Sequence, residues 1–523
     1  MRLSAQKNQK LMTAPIRNRF LFTVGTNLFR SLLAFITGVL LARLLGPVMY
    51  GNMAFLLGSF MGVLSLLNMG SSSAFFTFMS QRTRSRKFVR SFFLWIAFQL
   101  IGTLIIIGLL LPDEWIENIW LGQELSLVLL SFAAIFMQGT VWSVIQQAGE
   151  SQKRTYWVQS VSLAVTFIHL VAIVLLWLIG WLGLYAIFFA ILIEYFVAAV
   201  IVHRKYKYSS DGHEELTNNT NSKTFKKYLN YCLPLIPYSW ISFAYIFIDR
   251  WLLQYYSGSI EQAYYAIAAQ FAAIALIFTT SIMQIFWKEI SEAIELGNEE
   301  RVSQLYKKVS RILFFISAVI SGFLIPISDV LLRNILGDNY IGGALTLSIM
   351  FIYPVYQSMG QVGGTMLYAS EKVKIQSIIG ISFMIVSMIV TYWVLAPNDA
   401  AIRGLGLGSE GLALKMVVMQ FIQVNITAYV ISRIWNWKFD WIHQPVSLIF
   451  CLGLGWLVND LISSLLGELV SWFILLMLSG SAYIVLVMIL IYVLPWLIDM
   501  TRKEINSLIF SGAREFQHIF LNK

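Results

Sequence analysis

The sequence predicts an all-α integral membrane protein. About fourteen transmembrane helices are expected, arranged as two six-helix bundles related by a pseudo-two-fold axis along the membrane normal, with two extra C-terminal helices. Three observations predict it. The chain is a ladder of apolar segments of roughly twenty residues, the length a helix needs to cross a bilayer. Basic residues crowd into alternate loops, the pattern of a chain that threads a membrane repeatedly. The two halves also open on similar passages. Composition agrees: 58% of the 523 residues are hydrophobic and 12% are charged, against about 25% charged in an ordinary soluble domain. The formal net charge of +10 sits in loops, so it reports topology rather than affinity for nucleic acid.

The basic N-terminal segment MRLSAQKNQKLMTAPIRNRF leads into an apolar run too long for a signal-peptide core. No small-residue cleavage site follows, so this run reads as the first permanent span. Spans are expected near residues 20–44, 50–79, 88–111, 124–147, 156–177 and 182–202 in the first half. The second half offers 231–256, 262–287, 309–331, 342–368, 375–396 and 412–432, followed by 445–463 and 471–495. The loops QRTRSRKFVR, ESQKRT, HRKYKY, KTFKK, RVSQLYKKVSR, EKVK and TRKE, with the N-terminal segment, carry about 31 of the 37 Lys and Arg. The opposite loops carry Arg43, Arg333, Arg403 and Lys415, and offer acidic, aromatic stretches such as DEWIENIW. Arg30 and Arg250 lie within spans. This bias places both termini in the cytosol.

The polar stretch containing DGHEELTNNTNSK reads as a cytosolic linker. The expected organisation is a bundle over 1–205, a linker over 206–230, a second bundle over 231–432, and the extra helix pair with a cytosolic tail over 433–523. Each bundle opens on a span with an intramembrane arginine, a short turn and a second span rich in small residues: NLFRSLLAFITGVLLARLLGPVMYGNMAFLLGSF in the first, LPLIPYSWISFAYIFIDRWLLQYYSGSIEQAYYAIAAQF in the second.

A charge at mid-membrane costs about 2.5–3.5 kcal/mol on insertion scales, so such residues carry the first functional signal. Thr23, Asn27, Arg30, Ala34 and Thr37 recur at helical spacing as a polar and small stripe. Two readings stand: the stripe lines a hydrated cavity where Arg30 meets an anion, or Arg30 pairs with a carboxylate and holds the bundle together. In the seventh span Pro234 and Pro237 remove backbone donors and bend or break the helix. Tyr238, Ser242, Tyr245 and Asp249 then follow on one face. Arg250 either adds positive charge to a cavity or snorkels to water from the end of the span. Glu194, alone in the sixth span, is a partner for an arginine or a proton carrier, and Asp249 is the second candidate for ion coupling. Gln270, Ser281, Gln284, Gln357, Gln361, Gln420, Gln423 and Asn425 supply hydrogen-bonding groups; most such amides join helices, and a subset could bind sugar hydroxyls. Gly58, Gly62 and Ser65 form a small-residue packing face.

No phosphate loop, HExxH or GxSxG occurs, and the GxGxxG letters of GLGSEG lie in a loop without βαβ context. Cys232 and Cys451 are in apolar segments; His169, His203, His213, His443 and His518 are scattered. Neither set makes a metal site or a disulfide framework. No catalytic residue, metal or cofactor is expected, and the chain does not read as an enzyme.

The stretch LLARLLGPVMYGNMAFL and the seventh-span motif LPLIPYSWISFAYIFIDRWLL resemble the polysaccharide (O-antigen, Wzx-like) flippase family of the multidrug/oligosaccharidyl-lipid/polysaccharide (MOP) exporter superfamily. The resemblance in length, loop pattern and terminal helix pair covers nearly the whole chain. It implies two bundles forming a V around a cationic cavity, with alternating access. The implied cargo is an undecaprenyl-pyrophosphate-linked oligosaccharide, moved from the inner to the outer leaflet of a bacterial cytoplasmic membrane. Arg30 and Arg250 match positions in the first helix of each half where that family tends to place cavity cations. The implied partners are the lipid-linked oligosaccharide, membrane lipid and a coupling ion, H⁺ or Na⁺, with no nucleic acid. Two rivals remain: a drug or cation exporter of the same superfamily, which would want acidic cavity walls, and a membrane glycosyltransferase, polymerase or ligase, which would want a sizeable outward loop.

Overall fold

A computed structural model describes residues 16–81, 86–152, 154–204, 226, 228–467 and 469–511. The linker expected over 206–230 falls almost wholly outside these residues, as do His213 and His518. In chain order the helices are α1 (Ile16–Asn68), α2 (Ser71–Gln81), α3 (Arg86–Ile105), α4 (Asp113–Trp120), α5 (Leu125–Phe136), α6 (Ser143–Ser151), α7 (Thr155–Leu178), α8 (Leu184–His203) and α9 (Ile236–Glu295). They continue with α10 (Glu299–Leu324), α11 (Ser328–Leu336), α12 (Ala344–Met350), α13 (Tyr353–Ala369), α14 (Val373–Leu395), α15 (Gly408–Ile434), α16 (His443–Leu466), α17 (Trp472–Val493) and α18 (Arg502–Ser511). No strand occurs among the described residues.

Eleven helical runs are long and apolar enough to cross a membrane, and they reconcile with fourteen expected spans. A straight helix the length of α1 would reach about 80 Å, far beyond the roughly 30 Å of hydrocarbon. Both α1 and α9 therefore break, each at one glycine outside helical geometry: Gly46 (φ 73°, ψ 169°) and Gly258 (φ 81°, ψ −177°). Each supplies two spans. The tenth expected span is split instead into α12 and α13, with Pro354 in the first turn of α13, so neither piece is long enough to count alone.

Internal contacts sort the chain into two units, Met1–Ala263 with Thr391–Gly404, and Tyr264–Val390 with Leu405–Lys523. In the first, α1 packs on α7, α5 and α7 pack on α8, and α2 packs on α6. A π-helical turn, Met137–Trp142, joins α5 to α6. The two glycine turns lie at the same end of this unit. A Cβ on Gly51 would fall 1.8 Å from the Ser259 carbonyl oxygen. Asn52 Oδ1 accepts from Ser259 Oγ at 2.6 Å and from Gln254 Nε2 at 3.1 Å. Trp251 Nε1 donates to the Asn118 carbonyl of α4 at 3.1 Å. The matching turns are the backbone counterpart of the similar passages that open each half.

In the second unit α10 is the central helix, packed on α13 and α16. Small residues bring α10 and α16 into backbone contact: a Cβ on Gly455 would lie 1.9 Å from the Gly322 carbonyl oxygen, and one on Gly322 2.6 Å from that of Cys451. The Tyr483 hydroxyl of α17 contacts the carbonyls of Val319 and Cys451 at 3.0 and 3.1 Å. Ionic contacts finish the attachment of the terminal pair. Arg311 is buried on α10. Its Nε donates to Asp440 Oδ2 at 2.8 Å, its Nη1 donates to the Trp496 carbonyl, and its guanidinium lies 5.6 Å from the Trp496 ring centre. Lys308 pairs with Glu504 at 2.7 Å and Lys307 with Asp499 at 3.6 Å. Arg311, counted from sequence among inward loop cations, is thus an interior residue of a helix that begins at Glu299. Lys415, counted with the opposite loops, is 2% exposed, because α15 starts at Gly408 and places it inside the helix.

Three predictions follow from this packing. Gly46→Ala meets no atom within 4 Å, so its cost is the strained positive-φ, extended-ψ backbone alone, about 1–3 kcal/mol. Gly51→Ala must separate two backbones, and its thermal midpoint in detergent should fall well below that of Gly46→Ala. Burial works against ionised Asp440, but His443 and Arg311 outweigh it and hold the carboxyl at about 2, below its ordinary 3.8. A lowered folded pKa stabilises fully above the unfolded value and is lost as pH falls through the folded one. The stability gap between wild type and Asp440→Asn should therefore stay constant from pH 6 to about pH 4 and narrow below it. Arg311→Met should cost about 3–5 kcal/mol, the usual penalty for breaking a buried ion pair.

Candidate functional site

The inward face of α1 is Thr26, Leu33, Thr37 and Leu41, all buried. Arg30 falls on this face by helical spacing and is half-buried. The opposite face, Leu28, Phe29, Leu32 and Ile36, is exposed, as a lipid-facing surface would be. Arg30 therefore points into the unit. There its charge acts on Glu150 of α6 and Tyr195 of α8. Neither contact closes: among the described residues Arg30 makes no ion pair within 4 Å and no hydrogen bond.

Each of these two groups is held by a glutamine. Gln159 Nε2 donates to Glu150 Oε1 at 2.9 Å, and Gln138 Nε2 donates to the Tyr195 hydroxyl at 3.1 Å. Gln146 Nε2 donates to Ser162 Oγ at 2.7 Å. Gln138 sits on the π-helical turn, a local widening often found at functional sites. Asn27 is half-buried, and its Oδ1 accepts no hydrogen bond among the described residues. The rest of the expected stripe divides. Thr37 turns its hydroxyl back to the Leu33 carbonyl at 2.8 Å, Thr23 is half-buried, and Ala34 is exposed.

Arg250 stands elsewhere. It is half-buried, and its stem crosses Gly58, where a Cβ would lie 2.8 Å from Arg250 Cγ and 3.0 Å from Nε. Tyr50 lies within its electrostatic reach. Gly58, read from sequence as a packing position, is the notch that admits this side chain; Gly62 receives Phe243. Arg250 is eight residues before Gly258, about 12 Å of helix, whereas Arg30 is sixteen before Gly46, about 24 Å. The two cations thus occupy different depths, Arg250 near the end that carries the glycine turns. Its neighbour Asp249 is buried and accepts from Thr391 Oγ1 at 2.7 Å.

Glu194 meets a histidine, not an arginine: its Oε2 lies 2.8 Å from His169 Nδ1. Tyr238 is exposed, while Ser242, Tyr245 and Gln270 are half-buried. Gln357 lines a separate cavity within the second unit. The side chains of Ser281 and Gln284 lie outside the described residues. Among the described residues no group of three or more His, Cys, Asp and Glu could hold a metal ion. Glu150, Gln138, Gln159 and Tyr195 were missed from sequence. Glu150 opens the basic loop ESQKRT and was counted with it; a period-3.6 projection of 138–151 would have turned it toward the bundle.

This all-helical fold, with one glycine turn in each half, is similar to those of solved membrane transporters. The lipid II flippase MurJ, in an inward closed conformation, superposes with TM-score 0.65 at 16% identity, covering 91% of this chain and 99% of that one. An inward-facing multidrug resistance MATE family transporter gives TM-score 0.59 at 13% identity, covering 78% and 96%. A MOP superfamily transporter from Pyrococcus furiosus, distinguished by the reverse polarity of its binding pocket, gives 0.51 at 14% identity, covering 81% and 97%. No curated protein matches the sequence. The family model for polysaccharide biosynthesis proteins matches residues 16–287, and the chain belongs to that family.

One measurement separates a receptive Arg30 from a structural one. Glu150→Gln removes the nearest opposing charge acting on it. If Arg30 faces an anion, this variant should bind inorganic pyrophosphate at least as tightly as wild type in a detergent-solution binding assay. A structural Glu150–Arg30 brace would instead show as a drop of several degrees in thermal midpoint.

Proposed function

We propose that the protein is a flippase that carries undecaprenyl-pyrophosphate-linked oligosaccharide from the inner to the outer leaflet of a bacterial cytoplasmic membrane by alternating access, with both termini in the cytosol. The observation that carries this reading is Arg30: a guanidinium on the inward face of a membrane helix, without an ion pair among the described residues. Such a group must be hydrated or matched by a mobile anion. Guanidinium presents a planar fork of donors that suits phosphate oxygens. Arg250, nearer the glycine turns, would offer a second cation further along the path. The flippase named for the similar lipid II structure and the polysaccharide biosynthesis family support a lipid-linked sugar as the cargo class.

The driving force is adequate without a coupled ion. A pyrophosphate with two negative charges leaving a negative cytosol gains about 4.6 kcal/mol per 100 mV if it crosses the whole field. Were H⁺ or Na⁺ coupled, Glu194 with His169 and Asp249 with Thr391 are the exchange positions. A drug or cation exporter fits less well, because the acid beside Arg30, Glu150, is already engaged by Gln159. A glycosyltransferase, polymerase or ligase is the less favoured reading, because the similar structures are those of a flippase and of transporters.

Arg30→Ala should lower surface polymer in an export assay and weaken prenyl-pyrophosphate binding about 10–100-fold, the value of one to two charge-assisted hydrogen bonds. Arg30→Lys should keep part of both. Unchanged export by Arg30→Ala removes this residue from the mechanism.

A further inference from the structure

The second unit holds a cavity of about 520 Å³, within the roughly 300–1,000 Å³ of small-molecule sites. Its walls are an unusual concentration of one side chain: Gln357 and Gln361 from α13, Gln376 from α14, Gln420 and Gln423 from α15. Glycines make the room. A Cβ at Gly360 would lie 2.8 Å from Gln420 Nε2, and one at Gly364 3.5 Å from Gln376 Nε2. Trp287 and Tyr368 stand on the wall with parallel rings, 6.2 Å between centroids and 3° between planes.

Amides in membrane helices ordinarily join helices, and this unit shows what that looks like. Asn425 and Gln444 exchange two hydrogen bonds, at 3.1 and 2.9 Å. Of the cavity glutamines only Gln361 joins helices by a hydrogen bond among the described residues. Gln361 accepts from Thr279 Oγ1 at 2.9 Å. The Gln376 Oε1 atom is buried with no partner among the described residues. There the side chains of Gln357, Gln420 and Gln423 close no hydrogen bond either. Leaving a buried amide oxygen unmatched costs about 1–3 kcal/mol, which applies to Gln376 Oε1, while the half-buried Gln357, Gln420 and Gln423 present their amides to water or a polar ligand.

The wall chemistry selects among ligands. No Lys, Arg, Asp or Glu lines the cavity, so neither a phosphate nor a cation is favoured there. A primary amide both donates and accepts, as does a hydroxyl, and flat aromatic faces suit the C–H face of a sugar ring. We propose that this cavity binds the uncharged, hydroxyl-rich glycan portion of the cargo, while the anionic portion belongs to Arg30. The proposal rests on the flippase reading for the identity of the carrier lipid, but not for sugar recognition itself.

The test uses the purified full chain in lipid nanodiscs and two probes: undecaprenyl pyrophosphate without sugar, and the same lipid bearing a neutral N-acetylhexosamine–hexose oligosaccharide. Wild type should bind the glycosylated probe at least tenfold more tightly. The double variant Gln357→Leu, Gln420→Leu should lose that preference and keep its affinity for the bare lipid, which also certifies its fold. Wild-type protein that binds both probes alike, or neither, overturns the proposal. So does a double variant that retains the preference or loses the bare lipid equally. Arg30→Ala should weaken both probes together; if it weakens neither, the anion reading fails while the glycan preference still decides this one.

Discussion

A fixed positive charge inside a low-dielectric slab constrains everything around it. Hydrocarbon offers the Arg30 guanidinium no partner. The unit responds by turning α1 so that Leu28, Phe29, Leu32 and Ile36 meet lipid and the guanidinium faces inward. It then lines the approach with groups that already have partners. Glu150 is steadied by Gln159, Tyr195 by Gln138 and Ser162 by Gln146. Each is polar enough to hold water near the charge, and none closes on it. Among the described residues no ion pair within 4 Å closes on Arg30, which leaves its guanidinium to water or to an anion.

The second unit meets the same solvent problem differently. Its glutamine-lined cavity carries dipoles in place of charge, and its buried Arg311 fastens the segments flanking α16 and α17 to α10. Charge that does chemistry and charge that does masonry are therefore kept apart. In the first unit a cation stands without an ion pair; in the second, Arg311 is bound by Asp440, Trp496 and Asp499 together.

Much of the architecture was legible because a bilayer leaves only one economical solution, the apolar helix, and length with loop charge reveals each crossing. The expected segments overlap helices, with the second interrupted at Met69–Gly70, the ninth at Ile325–Ile327 and the tenth before Tyr353. Side-chain roles were harder to read. Arg30 was identifiable because a charge in an apolar run stands out, but its surroundings were not, since Glu150 hid in a basic loop and glutamines look alike in every helix. Arg311 was misplaced because α10 runs through what reads as a polar connector. The difference between Gln444 as a joint and Gln420 as a wall depends on which neighbour is within 3 Å, and that is a tertiary fact. Asp249 and Arg250, adjacent in sequence, serve different neighbours, as the 100° step between consecutive helical residues allows.

The glycine turns carry a mechanical consequence. At Gly46 and at Gly258 a single residue reverses the chain, and Gly51 touches Ser259 backbone to backbone. Such a connector has no slack. The two helical stretches that meet at Gly46 therefore cannot slide lengthwise past each other.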